Sequence, residues 1–355
     1  MEKRYEKFKE LMDLNGISGH EKSVKKYVKQ EIIKYTNEIY EDGFGGVFGA
    51  LGKEGPTIML CGHMDEVGFI VTKINSNGMI KLLPIGGINP DVYLSQNMNI
   101  ILDDGSKIKG IIGALPPHLA NGERKPTSVD DLVLDIGAST KEEAISWGVK
   151  IGQQVVSIND FYFTKDGKKI VSKAWDDRFG VGMALEVMEE VSKMDHPNRV
   201  IIGGTVQEEV GCRGAQVATQ MIKPDLFLTI DVSPADDYIN GSDANATLGK
   251  GFLIRYYDPR IIMNRSLHDY FVNLCEKYNI KSQEFRSAGG TDAGLAQYAG
   301  SGTLATTLGL PGRYIHTTGA MVHVDDMEAV KQIALAIIKT FDNEMLKKVK
   351  DGFND

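Results

Sequence analysis

The sequence predicts an α/β protein in which a mixed-sheet catalytic domain is interrupted by a β-rich, barrel-like insert. Apolar runs at helical and at strand spacing alternate at both ends of the chain, whereas residues 67–167 break into short alternating stretches separated by turn signals. Five side chains of metal-binding type also fall in separate segments, most of which open with an apolar, β-branched run. With 355 residues, 42% of them apolar and 25% charged, the chain can bury a large core and accommodate two domains.

Tyr5, Phe8, Leu11 and Met12 recur at helical spacing, and Ser18 with Glu21 three places on predicts a capped second amphipathic helix. Strand-like runs follow at 38–51 and 56–62. Within 67–167 the SNG, DDGS, PPH and DDL signals leave one short helical candidate, Lys141–Trp147. After it a helix is expected over 180–191, strands over 199–206 and 225–231, a helix over 266–278, a strand over 302–309 and a long closing helix from Asp325. Residues 1–66 and 168–355 then form the catalytic domain around the insert.

Composition excludes several function classes. A formal net charge of −8 without a long basic run argues against a nucleic-acid surface. The charged start MEKRYEKFKE and the absence of a window of about 18 apolar residues argue against a membrane span or secretory leader, so a cytoplasmic protein is expected. Cys61, Cys212 and Cys275 are odd in number and lack CxxC spacing, which disfavours a disulfide framework or a thiolate zinc site.

The five candidate ligands are His63, Asp176, Glu209, Asp231 and His316. Each alone reads more simply as a cap or a core residue. Together, two imidazoles and three carboxylates suit two zinc-like ions with one carboxylate bridging, and four of the five follow strand-like runs, at the sheet edge where α/β proteins bind ligands. Asp176 is expected to precede a helix starting near Arg178. Asp65, two residues past His63, is placed to receive that ring's second N–H, or else is a solvated loop acid. Glu208, next to Glu209 on what reads as the same strand, would face away from the metals' ligand side towards the reacting centre and serve as general base.

In this order HMDEVGF, AWDDRFG, VQEEVGCRGA, IDVSPA, GGTDAG and RYIHTT closely resemble the glutamyl and tetrahedral aminopeptidases, enzymes with paired catalytic metals, and the resemblance spans essentially the whole chain. It implies a metallo-aminopeptidase fold and two divalent ions per subunit, zinc or cobalt, with manganese as a third choice. His63 and Asp231 would hold one ion, Glu209 and His316 the other, and Asp176 would bridge them, with a cis peptide between Asp176 and Asp177. Glu208 would take a proton from a water between the metals and pass it to the leaving amine. The substrates implied are peptides with a free N-terminus, anchored through the carboxylates around the metals, and the partner implied is the chain itself, in a dodecameric shell that the insert helps to build. The insert lies between the first ligand and the bridging one, as the resemblance requires.

Arg255 in IRYYDP resembles the glutamyl subgroup and would favour an N-terminal Glu or Asp by bidentate pairing, or else pairs with Asp258 as a strand residue. A broad or leucine-preferring aminopeptidase is the alternative, with a metal-dependent glycosidase or a non-catalytic assembly protein as remote rivals. His118 matches a family motif without an evident role. His323 precedes the acids that open the last helix, and His20, His196 and His268, in loops or on helix faces, are expected to be structural or exposed and without acidic partners. The segment 287–294, SAGGTDAG, is expected to form a tight turn lining the substrate cleft.

Overall fold

The computed structural model of the chain describes residues 3–116, 118 and 127–352. Its catalytic domain is built on an eleven-stranded mixed sheet, and its insert is a closed barrel of six strands. At the centre of the sheet Arg199–Thr205, Thr57–His63, Leu226–Pro234 and Leu304–Arg313 run parallel to one another in that spatial order, and the remaining pairings to this block are antiparallel. These four strands are buried over nearly their whole length, which is why they read as continuous apolar runs. Their carboxyl ends share one edge, with His63 paired to Thr205 and Asp231 to Gly309.

The helix Trp175–Val191 packs on this sheet through Phe179, Val181, Met183 and Val187. Its approach is close enough that a Cβ on Gly62 would run into the backbone at Gly180, and one on Gly180 would run into the Ile230 carbonyl and the Asp177 carboxylate, which explains glycine at both positions. Asp176 and Asp177 depart from helical dihedrals, and the peptide between them is cis, as the resemblance implies. The long helix Val324–Thr340 buries Met327, Val330, Ile333 and Ile337 against the same core, and a shorter helix, Asn343–Asp351, follows it.

The barrel strands Gly68–Ile74, Ile80–Ile85, Val133–Asp135, Lys107–Ile112, Asn97–Ile101 and Gln154–Ser157 close around Phe69, Val71, Leu82, Met98 and Val155, with Phe69 and Tyr93 edge to face at 5.0 Å. The expected helix appears as Lys141–Ser146, capped by Thr140, whose hydroxyl accepts from the Glu143 amide. The insert ends earlier than 167 in hydrogen-bonding terms, because Tyr162–Phe163 pairs with Lys169–Ser172 on the large sheet rather than with the barrel. No helix among the described residues is long and apolar enough to cross a membrane.

The second amphipathic helix is present as Lys22–Ile32, but Ser18 does not cap it. Its hydroxyl donates instead to Asp65 Oδ2 at 2.6 Å, and Glu21 Oε1 accepts from the Gly19 and Gln207 amides. Beneath these residues a buried clamp joins three segments. Glu66 accepts from Lys173 Nζ at 2.7 and 2.8 Å and from Arg178 Nη2 at 3.3 Å, while Arg178 also donates to the carbonyls of Leu11, Leu14, Gly16 and Met64. A doubly paired buried carboxylate of this kind holds its neighbours in one arrangement, because removing any partner strands a charge.

Candidate metal centre

All five expected ligands converge at the carboxyl edge of the parallel strands. Among the described residues, His63, Asp176 and Asp231 form one group with ligand atoms within 4.8 Å of one another, and Asp176, Glu209 and His316 form a second. Asp176 belongs to both. Its Oδ1 lies 3.1 Å from His63 Nε2 and its Oδ2 lies 3.2 Å from His316 Nε2, with Glu209 Oε2 at 3.6 Å from the same His316 nitrogen. Ligands at about 2.0–2.2 Å around a tetrahedral divalent ion stand roughly 3.3–3.6 Å apart, within about 0.2 Å of these separations. Glu209 Oε1 is buried without a hydrogen-bond partner, a second sign that the carboxylate is built to meet a cation.

Each imidazole is turned by its other nitrogen. His63 Nδ1 reaches the main-chain oxygen of Asp65 at 3.1 Å and its Oδ1 at 3.4 Å, and His316 Nδ1 reaches the carbonyl of Gly87 at 2.8 Å. With Nδ1 occupied as donor, Nε2 is left free to bind metal. Asp65 thus meets the expected ring, though its nearer acceptor is the carbonyl rather than the carboxylate. The barrel enters the site through Gly86 and Gly87, where a Cβ on Gly86 would come within 3.1 Å of Glu209 Oε2.

Glu208 and Glu209 are not on a strand. The strand ends at Thr205, and the two glutamates sit in the following loop, where Asp65 Oδ1 accepts the Glu208 amide and Oδ2 the Glu209 amide, both at 3.1 Å. One oxygen of each lies within 4.8 Å of the other and of a His63 nitrogen, but their nearest partners differ. Glu209 joins His316, while Glu208 Oε2 lies 3.9 Å from His63 Nε2 and Oε1 takes a thiol contact from Cys212 at 3.2 Å. Asp231 lies within its strand, which runs on to Pro234, rather than at its end.

Sequence reasoning missed three contributors. Asp177 Oδ2 accepts the His63 amide at 3.1 Å and its Oδ1 accepts the Gly180 amide. Asp292 is fully buried, accepts from the Thr205 hydroxyl, and gathers with Glu208 and Cys212. Ser18 supports Asp65. Only the doubled acid in AWDDRFG and the acid in GGTDAG were visible as signals, and neither by itself reveals a partner.

Arg255 is buried and paired internally through Nη1 and Nη2, while its Nε has no hydrogen-bond partner. Its Nη1 pairs with Asp258 at 3.3 Å and donates to the Gly289 carbonyl, and its Nη2 donates to Ser233 Oγ at 2.7 Å. Of the two readings of Arg255, the structure carries the pairing with Asp258. His323 caps the helix Val324–Thr340 by accepting the Asp325 amide. His268, contrary to expectation, has an acidic partner in Glu284 at 2.9 Å, a contact made across a helix and a strand. His118 is exposed.

A small cavity beside the centre is lined from both domains by Val67, Ser157, Asp176, Glu209, His316 and Thr317. A roomier hollow of about 830 Å³ opens near Lys223, Asp225 and Lys350, at the amino ends of the parallel strands. The chemistry is at the other edge.

A family model described as M42 glutamyl aminopeptidase matches residues 45–333. The chain belongs to the M42 glutamyl aminopeptidase family. It is 35% identical to a glutamyl aminopeptidase of Lactococcus lactis over 98% of this chain and 99% of that one, and 28% identical to a lysyl aminopeptidase of Pyrococcus furiosus over 94% and 96%. A TET aminopeptidase of a marine-sediment Thaumarchaeota archaeon superposes with a TM-score of 0.94 at 33% identity, covering 98% of this chain and all of that one. The TET1 peptidase of Pyrococcus horikoshii, described as able to assemble into a tetrahedron or a large octahedral shell, gives 0.87 at 30% identity over 95% and 99%. Peptidases of this family are metal-dependent hydrolases, in keeping with the donor set.

The protonation of the ligands links ion uptake to pH. Burial raises Glu209 to about 8, with Asp176 adding to the effect, and raises Asp231 to about 7. Burial opposes charging of His316, but Asp176 and Glu209 lift it to about 10, while the two imidazoles hold Asp176 below the usual carboxylate range against the effect of its burial. Near pH 7 the ion-free site therefore carries protons that a cation must displace. Zinc or cobalt affinity is expected to rise at least about tenfold per pH unit between about pH 6 and 8, since more than one proton leaves. Competition titrations against a chelator measure this, and a pH-independent affinity contradicts it.

Proposed function

We propose that this chain is a dinuclear metal-dependent aminopeptidase that removes N-terminal residues from peptides, with a preference for Glu or Asp. The observation that carries the reading is the pair of ligand groups sharing Asp176, one oxygen towards each imidazole. His63 and Asp231 would hold one ion, Glu209 and His316 the other, and Asp176 would bridge. Ions held there would polarise the scissile carbonyl and acidify the attacking water. Every other step falls to the chain's own residues.

Glu208 takes the proton at Oε2, the oxygen facing the ligand side, and returns it to the leaving amine. Burial first, then the charges of Glu209 and Asp231, push its carboxyl well above the usual range, which places it where a group that must both accept and donate a proton belongs. Asp65 holds the two amides of the Glu208–Glu209 pair and so keeps base and ligand in fixed register. The cluster of acids around Glu208 and Asp231 offers an anchor for a cationic α-amino group, which exists only at a chain terminus.

The acidic preference rests on likeness to the Lactococcus lactis glutamyl enzyme, against which the lysyl relative shows that such preferences vary among similar chains. A broad or leucine-preferring enzyme is the competing outcome. Assembly into a dodecameric shell is supported by the insert and by the assemblies described for the TET1 peptidase.

Two outcomes are expected. Glu208→Gln should keep both ions while kcat falls by about 10²–10⁴, the usual loss when a general base is removed. Normal turnover by that variant would move the base elsewhere. Light scattering should give a mass many times the 39.0 kDa of one chain, and a fully active monomer would refute the shell.

A further inference from the structure

An enzyme that prefers an acidic first residue needs a cation close to its base and not already neutralised. Arg255 fails this test, being buried with Asp258, Ser233 and Gly289 as partners. Taking the aminopeptidase reading above as given, we infer that Arg260 is the residue that binds the side-chain carboxylate of an N-terminal Glu or Asp.

Arg260 is exposed, yet its Nη1 lies 3.2 Å from Cys212 Sγ, and the same sulfur lies 3.2 Å from Glu208 Oε1. Guanidinium and base thus flank a single atom. Among the described residues Arg260 enters no ion pair, and its one side-chain acceptor is that sulfur, a weak one, so most of its planar fork is available for a carboxylate.

Its backbone is fixed from two sides. The Arg260 amide donates to Asp258 Oδ1 at 2.8 Å, and its carbonyl accepts from Gln297 Nε2. The aliphatic stem lies over Gly290 and Gly294, where an added Cβ would come within 3.0 Å of Arg260 Cδ at either position. The glycines of SAGGTDAG therefore leave the lane that this side chain occupies, and Arg255 acts on the same residue indirectly by holding Asp258. A carboxylate entering beside Glu208 meets a preplaced cation with little ordering left to do.

The test compares Glu-, Asp-, Leu- and Lys-p-nitroanilides, which carry no C-terminal carboxylate, on wild type, Arg260→Gln and Arg260→Glu, with L-glutamate and L-leucine binding measured by calorimetry and mass by light scattering. Arg260→Gln should lower kcat/KM for the glutamyl substrate by about tenfold or more relative to its effect on the leucyl one, the lower end for loss of hydrogen bonds to a charged group. L-Glutamate binding should weaken correspondingly, and Arg260→Glu should turn the preference towards lysyl substrate. Acidic preference that survives Arg260→Gln overturns the role of Arg260 alone. A wild type that favours leucine overturns the acidic preference and the role together. Equal losses on all substrates with a changed mass assign Arg260 to a subunit contact, which also overturns the inference.

Discussion

The carboxylate of Asp65, fully buried beyond the end of a parallel strand, accepts from the Ser18 hydroxyl at 2.6 Å and from the consecutive amides of Glu208 and Glu209. The donors come from two distant parts of the chain, so one side chain ties the N-terminal turn, the His63 segment and the loop that carries Glu208 and Glu209. Burying a charge is costly, and here hydrogen bonds and His63 more than offset that cost, leaving the carboxyl below its ordinary range although burial alone would raise it. Glu66, its neighbour in sequence, does parallel work one layer deeper through Lys173 and Arg178.

Around that scaffold the protein concentrates like charges. Asp176, Glu208, Glu209, Asp231 and Asp292 surround two imidazoles, and most of these carboxyls are pushed upwards by burial and by each other. Such a cluster is unfavourable on its own and becomes favourable once cations enter, so the folded chain stores affinity for metal in its geometry. Rigid parallel strands make this affordable. They deliver His63 from a strand end and Asp231 from within a strand, the irregular turn at Asp176 and Asp177 supplies the shared carboxylate, and the barrel contributes Gly87 to orient His316.

Much of this was legible in the sequence because the ligands follow apolar runs whose burial fixes where they end. The texture change over 67–167 announced the barrel for the same reason, since short strands with one inward face alternate. What was hidden depends on contacts across long sequence separations. Nothing local distinguishes Ser18 as a partner of Asp65 from Ser18 as a helix cap. Glu208 and Glu209 read as strand because IIGGTV does, yet Gln207 adopts a left-handed turn with φ of 56° that ends the extended run. The two arginines show the limit most clearly: Arg255 and Arg260 are five positions apart, and the turn at Asp258 separates the buried one from the exposed one beside Cys212 and Glu208.

The central claim, that two ions share Asp176, is tested most directly by elemental analysis of purified active protein alongside Asp176→Ala. The account predicts two divalent ions per chain in the parent and loss of both from the variant, with activity lost in step. One ion per chain in fully active protein, or two retained without Asp176, would contradict it.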